Sequence, residues 1–465
     1  MPRASLTRKL GWILLPVLAL GAIWILLRSV PDPSNVRSRI ERLRAAGLPT
    51  TPAELEVWYA APPPAENRAL PILEAAAALR GADQNDTNLP WLGRATIPPT
   101  GVSLEPRLRT RMEGFVQTNR EALKAGRKAT ERPFSRYPVL LSAGMAIRLP
   151  HLGPVQTLTS SLILEAVEAA EKGDSDLASA DLVAGIRVAD SLAQEPVNLS
   201  VVIANSLYRT VADGAERVFC HHQLSESQLQ TLQQVWTQAL SIPSAKRAMI
   251  GNIAFSETLR TLSVRNALVE FDRASDGSAM SAWSTLRLGM HVAAGGLRKD
   301  YGVLVEHWDE RRLAAQMEYP ERLAQEKKLQ SDLETRVVTS YLPAIRYHIG
   351  SDEDLAATSM AVKRSALTAC AVERYRLKNS SRLPERLEEL VPEFLPAVPL
   401  DPFDGRPLRY EVSGEGYVIY SVGSDLVDDR GRSNQRPRKR GERKTRDVPF
   451  TVGPMPDPKP AERVP

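Results

Sequence analysis

The chain of 465 residues is long enough for two or three domains, and 25% charged with 43% hydrophobic residues is the balance of an ordinary globular protein. Its net charge of +5 is local: Arg430 to Arg446 hold nine Lys or Arg against Glu442 alone. The 51 basic and 54 acidic residues outside that segment leave about −3, which excludes a nucleic-acid-binding character for the whole fold. Aromatic content is low at 6%, and Ala and Leu are abundant, so helix is favoured over sandwich or barrel.

Leu10 to Leu27 (LGWILLPVLALGAIWILL) is eighteen residues without a charge, close to the length that crosses a hydrocarbon layer. Arg8 and Lys9 precede it, Arg28 follows, and Trp12 and Trp24 stand near its ends. Ala19-Leu20-Gly21 offers small residues for signal cleavage, but IWILL continues past them, and the segment reads as an uncleaved anchor. Counting flanking arginines favours the body inside, whereas a short basic N-terminus before a single span is the plan of an N-in anchor. The expectation is N-in, with the body outside the bacterial inner membrane.

Val36 to Ala46 reads as a basic amphipathic helix leading out of the anchor. Pro62-Pro63-Pro64 and Ile97-Pro98-Pro99 break the next region into short helices, and Gly81 to Asn88 reads as an exposed loop. From Leu104 to about Ile349 the pattern is helical. Leu162, Val167 and Ala170 mark one apolar face, opposite Glu165 and Glu168. Gly173-Asp174-Ser175 ends that helix and caps the next, which carries Leu177, Ala184, Val188 and Leu192 and stops at Glu195-Pro196. Such a hairpin is weakly tetratricopeptide-like, but no second copy follows at a 34-residue spacing. Ser225 and Gln228 form a capping box. Ala245 to Arg273 and Arg311 to Tyr341 read as long polar helices.

Chemistry-bearing clusters are few. The histidines are His151, His221, His222, His291, His307 and His348, without a zinc-protease spacing. His221-His222 sits at a helix end, and Glu306-His307-Trp308-Asp309-Glu310 reads as a charged helix face. Cys220 and Cys370 lie in apolar helical contexts as buried thiols, with one disulfide between them as the alternative. Nucleophile-elbow, P-loop and dinucleotide motifs are lacking.

Asp354 to Lys378 reads as a helix and Pro384 to Leu390 as a short one. Asp401-Pro402 and Asp404-Gly405 turn the chain. Leu408 to Val412 and Tyr417 to Ser421 then form a hairpin. Three carboxylates, Asp425, Asp428 and Asp429, crowd the loop that follows, and Asp447 stands beyond the basic insert. Asp401-Pro402-Phe403, Pro407, Tyr410 and the run Ser421-Val422-Gly423-Ser424-Asp425 resemble the globular end of type II secretion pseudopilins of the major, G-like kind. The resemblance covers roughly Asp354 to Val452. It implies a long helix, a small antiparallel sheet and a calcium-binding loop, with Asp425, Asp428, Asp429 and Asp447 as the metal ligands. Carboxylates, carbonyls and water are what calcium takes. Two features depart from the family: Leu426 stands where a Gly is usual, and Pro16 occupies the fifth position after Gly11, where pseudopilins carry Glu. The second points away from a fibre subunit. The nine charges of the insert are an alternative counterion for the acids, or a contact for anionic lipid.

The sequence therefore reads as mainly α. A membrane anchor spans 1–30. An irregular helical bundle or short solenoid spans 31–350. A small α+β module with an antiparallel sheet spans 351–452 and carries the insert 430–446, and a disordered tail closes the chain at 453–465. The function expected is interaction or scaffolding from a single-span membrane protein, with secretion-system or other envelope proteins as partners and no nucleic acid. The alternatives are an envelope enzyme, with His291, His307 and Glu306 gathered in the helical body, or a structural protein with no secretion link.

Overall fold

The computed structural model describes residues 33–82, 88–261, 296–337, 353–431 and 446–454. The expected anchor with Gly11, the positions of His291 and His348, most of the basic insert and nearly all of the Pro-rich tail lie outside these residues. Among the described residues no helix is long and apolar enough to cross a membrane. The protein is mainly helical, with one small three-stranded antiparallel sheet near its C-terminus.

The basic helix α1 (Pro33–Ala45) presents Val36, Ile40 and Leu43 to a minor core shared with α9 (Ser244–Ser256) and α10 (Gly296–Ala314). Between α1 and α9 run α2 (Pro52–Trp58), α3 (Ala69–Ala78), α4 (Pro106–Ala129), α5 (Leu152–Glu171), α6 (Ser175–Ala193), α7 (Asn198–Phe219) and α8 (Glu226–Ser241). Helix α5 is the hub: α3, α4, α6 and α7 all pack on it. Its Leu, Ile, Val and Ala residues face every side, as in a helix with no solvent face.

The capping signals of the sequence hold. Asp174 accepts the Leu177 N–H at 3.0 Å, and Ser225 and Gln228 cap α8 reciprocally. The polar face expected for α5 does not reach solvent. Glu165 is 2% exposed and Glu168 6% exposed. Arg127 from α4 pairs with Glu165 and, at 2.6 Å, with Asp181 of α6, while Lys172 takes Glu168 at 2.5 Å. Burial, together with the neighbouring Glu165 charge, holds the Asp181 carboxyl well above its ordinary range. The cation supplied by another helix is what lets this face go inside.

The long helix read from Arg311 to Tyr341 is two helices. Chain α10 ends at Ala314, and α11 (Glu321–Val337) starts after Pro320, whose missing N–H and effect on the preceding residue break the ladder. Of the helix read from Ala245 to Arg273, α9 runs to Ser256 and a further turn of helix spans Thr258–Thr261, while residues 262–273 lie outside the described residues.

Helix α12 (Glu353–Lys378) packs on α7 and α8. The segment expected as a short helix from Pro384 is a single 3-10 turn, Leu387–Leu390, with both leucines buried. Strands β1 (Arg409–Ser413), β2 (Gly416–Ser421) and β3 (Val448–Val452) pair in sequence order, with Tyr410 opposite Ile419 and Ile419 opposite Phe450. Gly414 turns the hairpin at φ +61. The sheet lies on α7 and α12: Phe450 meets Phe219 at 5.9 Å between ring centres, and the Gly453 N–H donates to Cys220 Sγ at 3.1 Å. One apolar cluster runs from Ala69 through α5 to Val452, so sheet and bundle share a core. Both cysteines are thiols, and Cys370 is fully buried.

Candidate functional site

Asp401 organises the end of β2. It is fully buried, and its Oδ1 accepts from the Phe403 N–H at 2.9 Å and the Ser421 hydroxyl at 2.8 Å. Its Oδ2 accepts from the Val422 N–H at 2.9 Å and from Arg409 Nη1 at 2.8 Å. Arg409 also binds Asp404. Burial acts to raise the Asp404 carboxyl, but the Arg409 guanidinium outweighs it and holds the group below its usual value. The turn Asp401–Gly405 is thereby tied to the strand that launches the loop.

Beyond β2 the chain makes a 3-10 turn, Gly423–Asp425. Gly423 has φ +68, and a Cβ there would stand 1.8 Å from the Arg446 carbonyl oxygen, so only glycine fits this crossing of the loop's two ends. Leu426 follows at φ 57, in the left-handed region that the Gly of the resembled family would enter without strain. Asp425 accepts the Val427 N–H at 3.3 Å. Asp428 accepts the Tyr420 hydroxyl at 3.0 Å and the Arg430 N–H at 2.9 Å. The last residue of the insert, Arg446, donates to Ser424 Oγ at 3.1 Å.

Asp447 closes the loop. Its Oδ2 accepts the Asp429 N–H at 3.1 Å and the Gly431 N–H at 2.8 Å. Its Oδ1 is buried and has no hydrogen-bond partner, in a residue only 6% exposed. Burial pushes this carboxyl up to about 7, against the pull of the two N–H groups and with repulsion from Asp429 and Asp428 adding to the rise.

Of the four residues expected as ligands, Asp428, Asp429 and Asp447 interact, while Asp425 turns to its own backbone. Among the described residues no set of three or more His, Cys, Asp and Glu is gathered closely enough to hold a metal ion. Within this loop, the orphan Oδ1 of Asp447 is the feature that asks for a cation.

Of the residues expected for an enzyme, His291 lies outside the described residues, and His307 and Glu306 turn to different surroundings. His307 is 3% exposed, its Nε2 unpartnered, and burial with nearby Arg311 and Arg336 pushes it down to about 3. Glu306 instead meets Arg336 at the surface at 2.5 Å. His222 reaches α12, with Nδ1 3.3 Å from Glu373.

The sequence marks Asp401 as a turn residue and not as a buried joint, because its partners Ser421 and Val422 stand about twenty residues away. Compared with known families, curated proteins and solved structures, the chain has no significant match.

Proposed function

We propose that the chain is a membrane-anchored extracytoplasmic interaction or scaffolding protein, working beside a type II secretion-like apparatus, with a C-terminal module of the G-like pseudopilin kind. In this reading residues 10–27 hold it in the inner membrane, and the helical bundle carries the module. The observation that supports it best is the return of Asp447, after an excursion through the insert, onto the N–H groups of Asp429 and Gly431. The order of long helix, Asp-Pro turn, hairpin, Ser421–Asp425 loop and final Asp-apolar pair, Asp447-Val448, is the order that the resemblance implies.

Calcium is the cofactor of this reading. Its charge would satisfy Asp447 Oδ1 and remove the repulsion among Asp428, Asp429 and Asp447. The test is a melting curve of the full chain with millimolar calcium and with chelator, together with amide exchange over residues 421–431. Calcium is expected to raise the melting temperature and slow exchange in the loop, and identical curves would remove the metal from the proposal. Co-purification from membranes addresses the partner: enrichment of secretion components supports the placement, and their absence leaves a structural protein of the envelope.

A further inference from the structure

The helical body holds a second constellation, far from the acidic loop in sequence. His151 stands at the N-terminus of α5, and its Nε2 lies 2.9 Å from Glu195 Oε2, just past the end of α6. Both are deeply buried, His151 at 3% and Glu195 at 1% exposure, and Glu195 Oε1 has no hydrogen-bond partner. Tyr137 stacks on the imidazole at 4.5 Å between ring centres, and its hydroxyl is fixed at 2.8 Å from Ser191 Oγ. Ser191 passes its own proton to the Val188 carbonyl at 2.6 Å, so Tyr137 is the donor in that pair. The imidazole is therefore held on one face by a ring and on one edge by a carboxylate.

His151 also lines a cleft of about 790 Å³. Apart from Thr157 the remaining walls are small and apolar, among them Leu73, Ala76, Leu79, Pro138, Pro150 and Pro154. Among the described lining residues His151 is the one ionisable side chain. This is the composition of a small-molecule site: mostly apolar walls with few polar side chains, the His151 imidazole and the Thr157 hydroxyl.

The carboxylate orients that group. With the imidazole neutral, a carboxylate at Nε2 takes the ring proton as a hydrogen bond, which leaves Nδ1 as an acceptor. Nδ1 has no hydrogen-bond partner among the described residues. An acceptor in an apolar cleft calls for a ligand with one donor. The second, unpartnered oxygen of Glu195 disfavours bringing another anion beside it.

We propose that this cleft binds a neutral hydrophobic small molecule bearing a single hydroxyl group, which donates to His151 Nδ1. Glu195 is a positioning residue that fixes the tautomer. The site is independent of the acidic loop and of calcium.

The test uses calorimetric titration of the purified full chain with three probes of one shape: 1-naphthol, 1-methylnaphthalene and 1-naphthoate. Naphthol is expected to bind about tenfold tighter than either of the others, the size of one hydrogen bond made in an apolar site. Its addition is also expected to shift the ¹⁵N resonance of His151 Nδ1. His151→Phe keeps a ring against Tyr137 and removes the acceptor, and should abolish the preference for naphthol. Ala77→Trp changes an exposed residue of the cleft wall and should block all three probes while the melting temperature stays put. It also subtracts partitioning into detergent. If His151→Phe does not fold, Ala77→Trp and the Nδ1 shift decide. Equal binding of naphthol and methylnaphthalene, tighter binding of naphthoate, or naphthol binding unchanged by Ala77→Trp would each overturn the proposal.

Discussion

Two buried aspartates in the C-terminal module, Asp401 and Asp447, differ in how their oxygens are used. Asp401 spends both oxygens on four donors, two backbone N–H groups, a hydroxyl and the Arg409 guanidinium. Asp447 spends one oxygen on two N–H groups, leaves the other without a partner, and faces two further acids. Depth is nearly the same, so the partners decide the role. A carboxylate whose every lone pair is met serves as a joint of the fold. One that keeps an unmet oxygen among like charges is built to take up something else, a proton or a cation.

The largest effect should come from breaking the joint. Asp401→Ala leaves Arg409 without half of its anions and strands the Ser421 hydroxyl and two N–H groups in a dry site. Removing one partner of a buried pair costs about 3–5 kcal/mol. Chemical denaturation of the full chain should show a loss of that size, with exchange protection lost first over residues 401–423. A loss under about 1 kcal/mol would mean that the turn is held by packing alone, and the comparison with Asp447 would fail.

Leu426 should give a smaller effect of opposite sign. A leucine in the left-handed region is strained by about 1–2 kcal/mol, and the flexibility that glycine brings to the unfolded chain takes back about 0.5–1 kcal/mol. Leu426→Gly is therefore expected to stabilise by about 0.5–1 kcal/mol, read from the shift in denaturation midpoint. A decrease would show that this exposed leucine is held by contacts that outweigh its backbone.

What could be read from the sequence followed distance along the chain. The caps at Asp174 and Ser225 act over three residues, and both were visible. The hairpin was visible to within a residue, because a turn with Gly414 and alternating strands are local signals. Strand β3 was not, since Pro449 and the adjoining insert argue against a strand. The sheet accommodates Pro449 because β3 is its edge. The burial of Glu165 depends on Arg127 and Asp181, which no periodicity links to it. His151 and Glu195 are separated by a whole helical hairpin, so neither carried a mark of the other. The metal candidates lay on one short loop and were legible as a cluster. That Asp425 would turn away and Asp447 keep an oxygen unmet depends on backbone geometry that composition does not encode.

The smallest effect is the most specific to the comparison. Asp447 is pushed up to about 7 in the folded protein, from an unfolded value near 3.8. Between those values the folded state holds a proton that the unfolded state has released. Stability from this group is therefore complete below about pH 4 and drains away as pH rises through 7. Asp404 runs the other way. Its folded value lies below its unfolded one, so its contribution is present above about pH 4 and is lost on further acidification. Asp447→Asn keeps an oxygen for the Asp429 and Gly431 N–H groups and removes the titration. In chelator, the variant should match the parent chain at about pH 4 and be the more stable of the two at pH 8, a modest gain because the charged loop is partly wet. With calcium present the order at pH 8 should reverse, because the parent then has a cation to bind and the variant has given up a ligand. A parent and variant that keep the same pH slope would place the proton elsewhere and leave Asp447 an ordinary buried acid, no different in kind from Asp401.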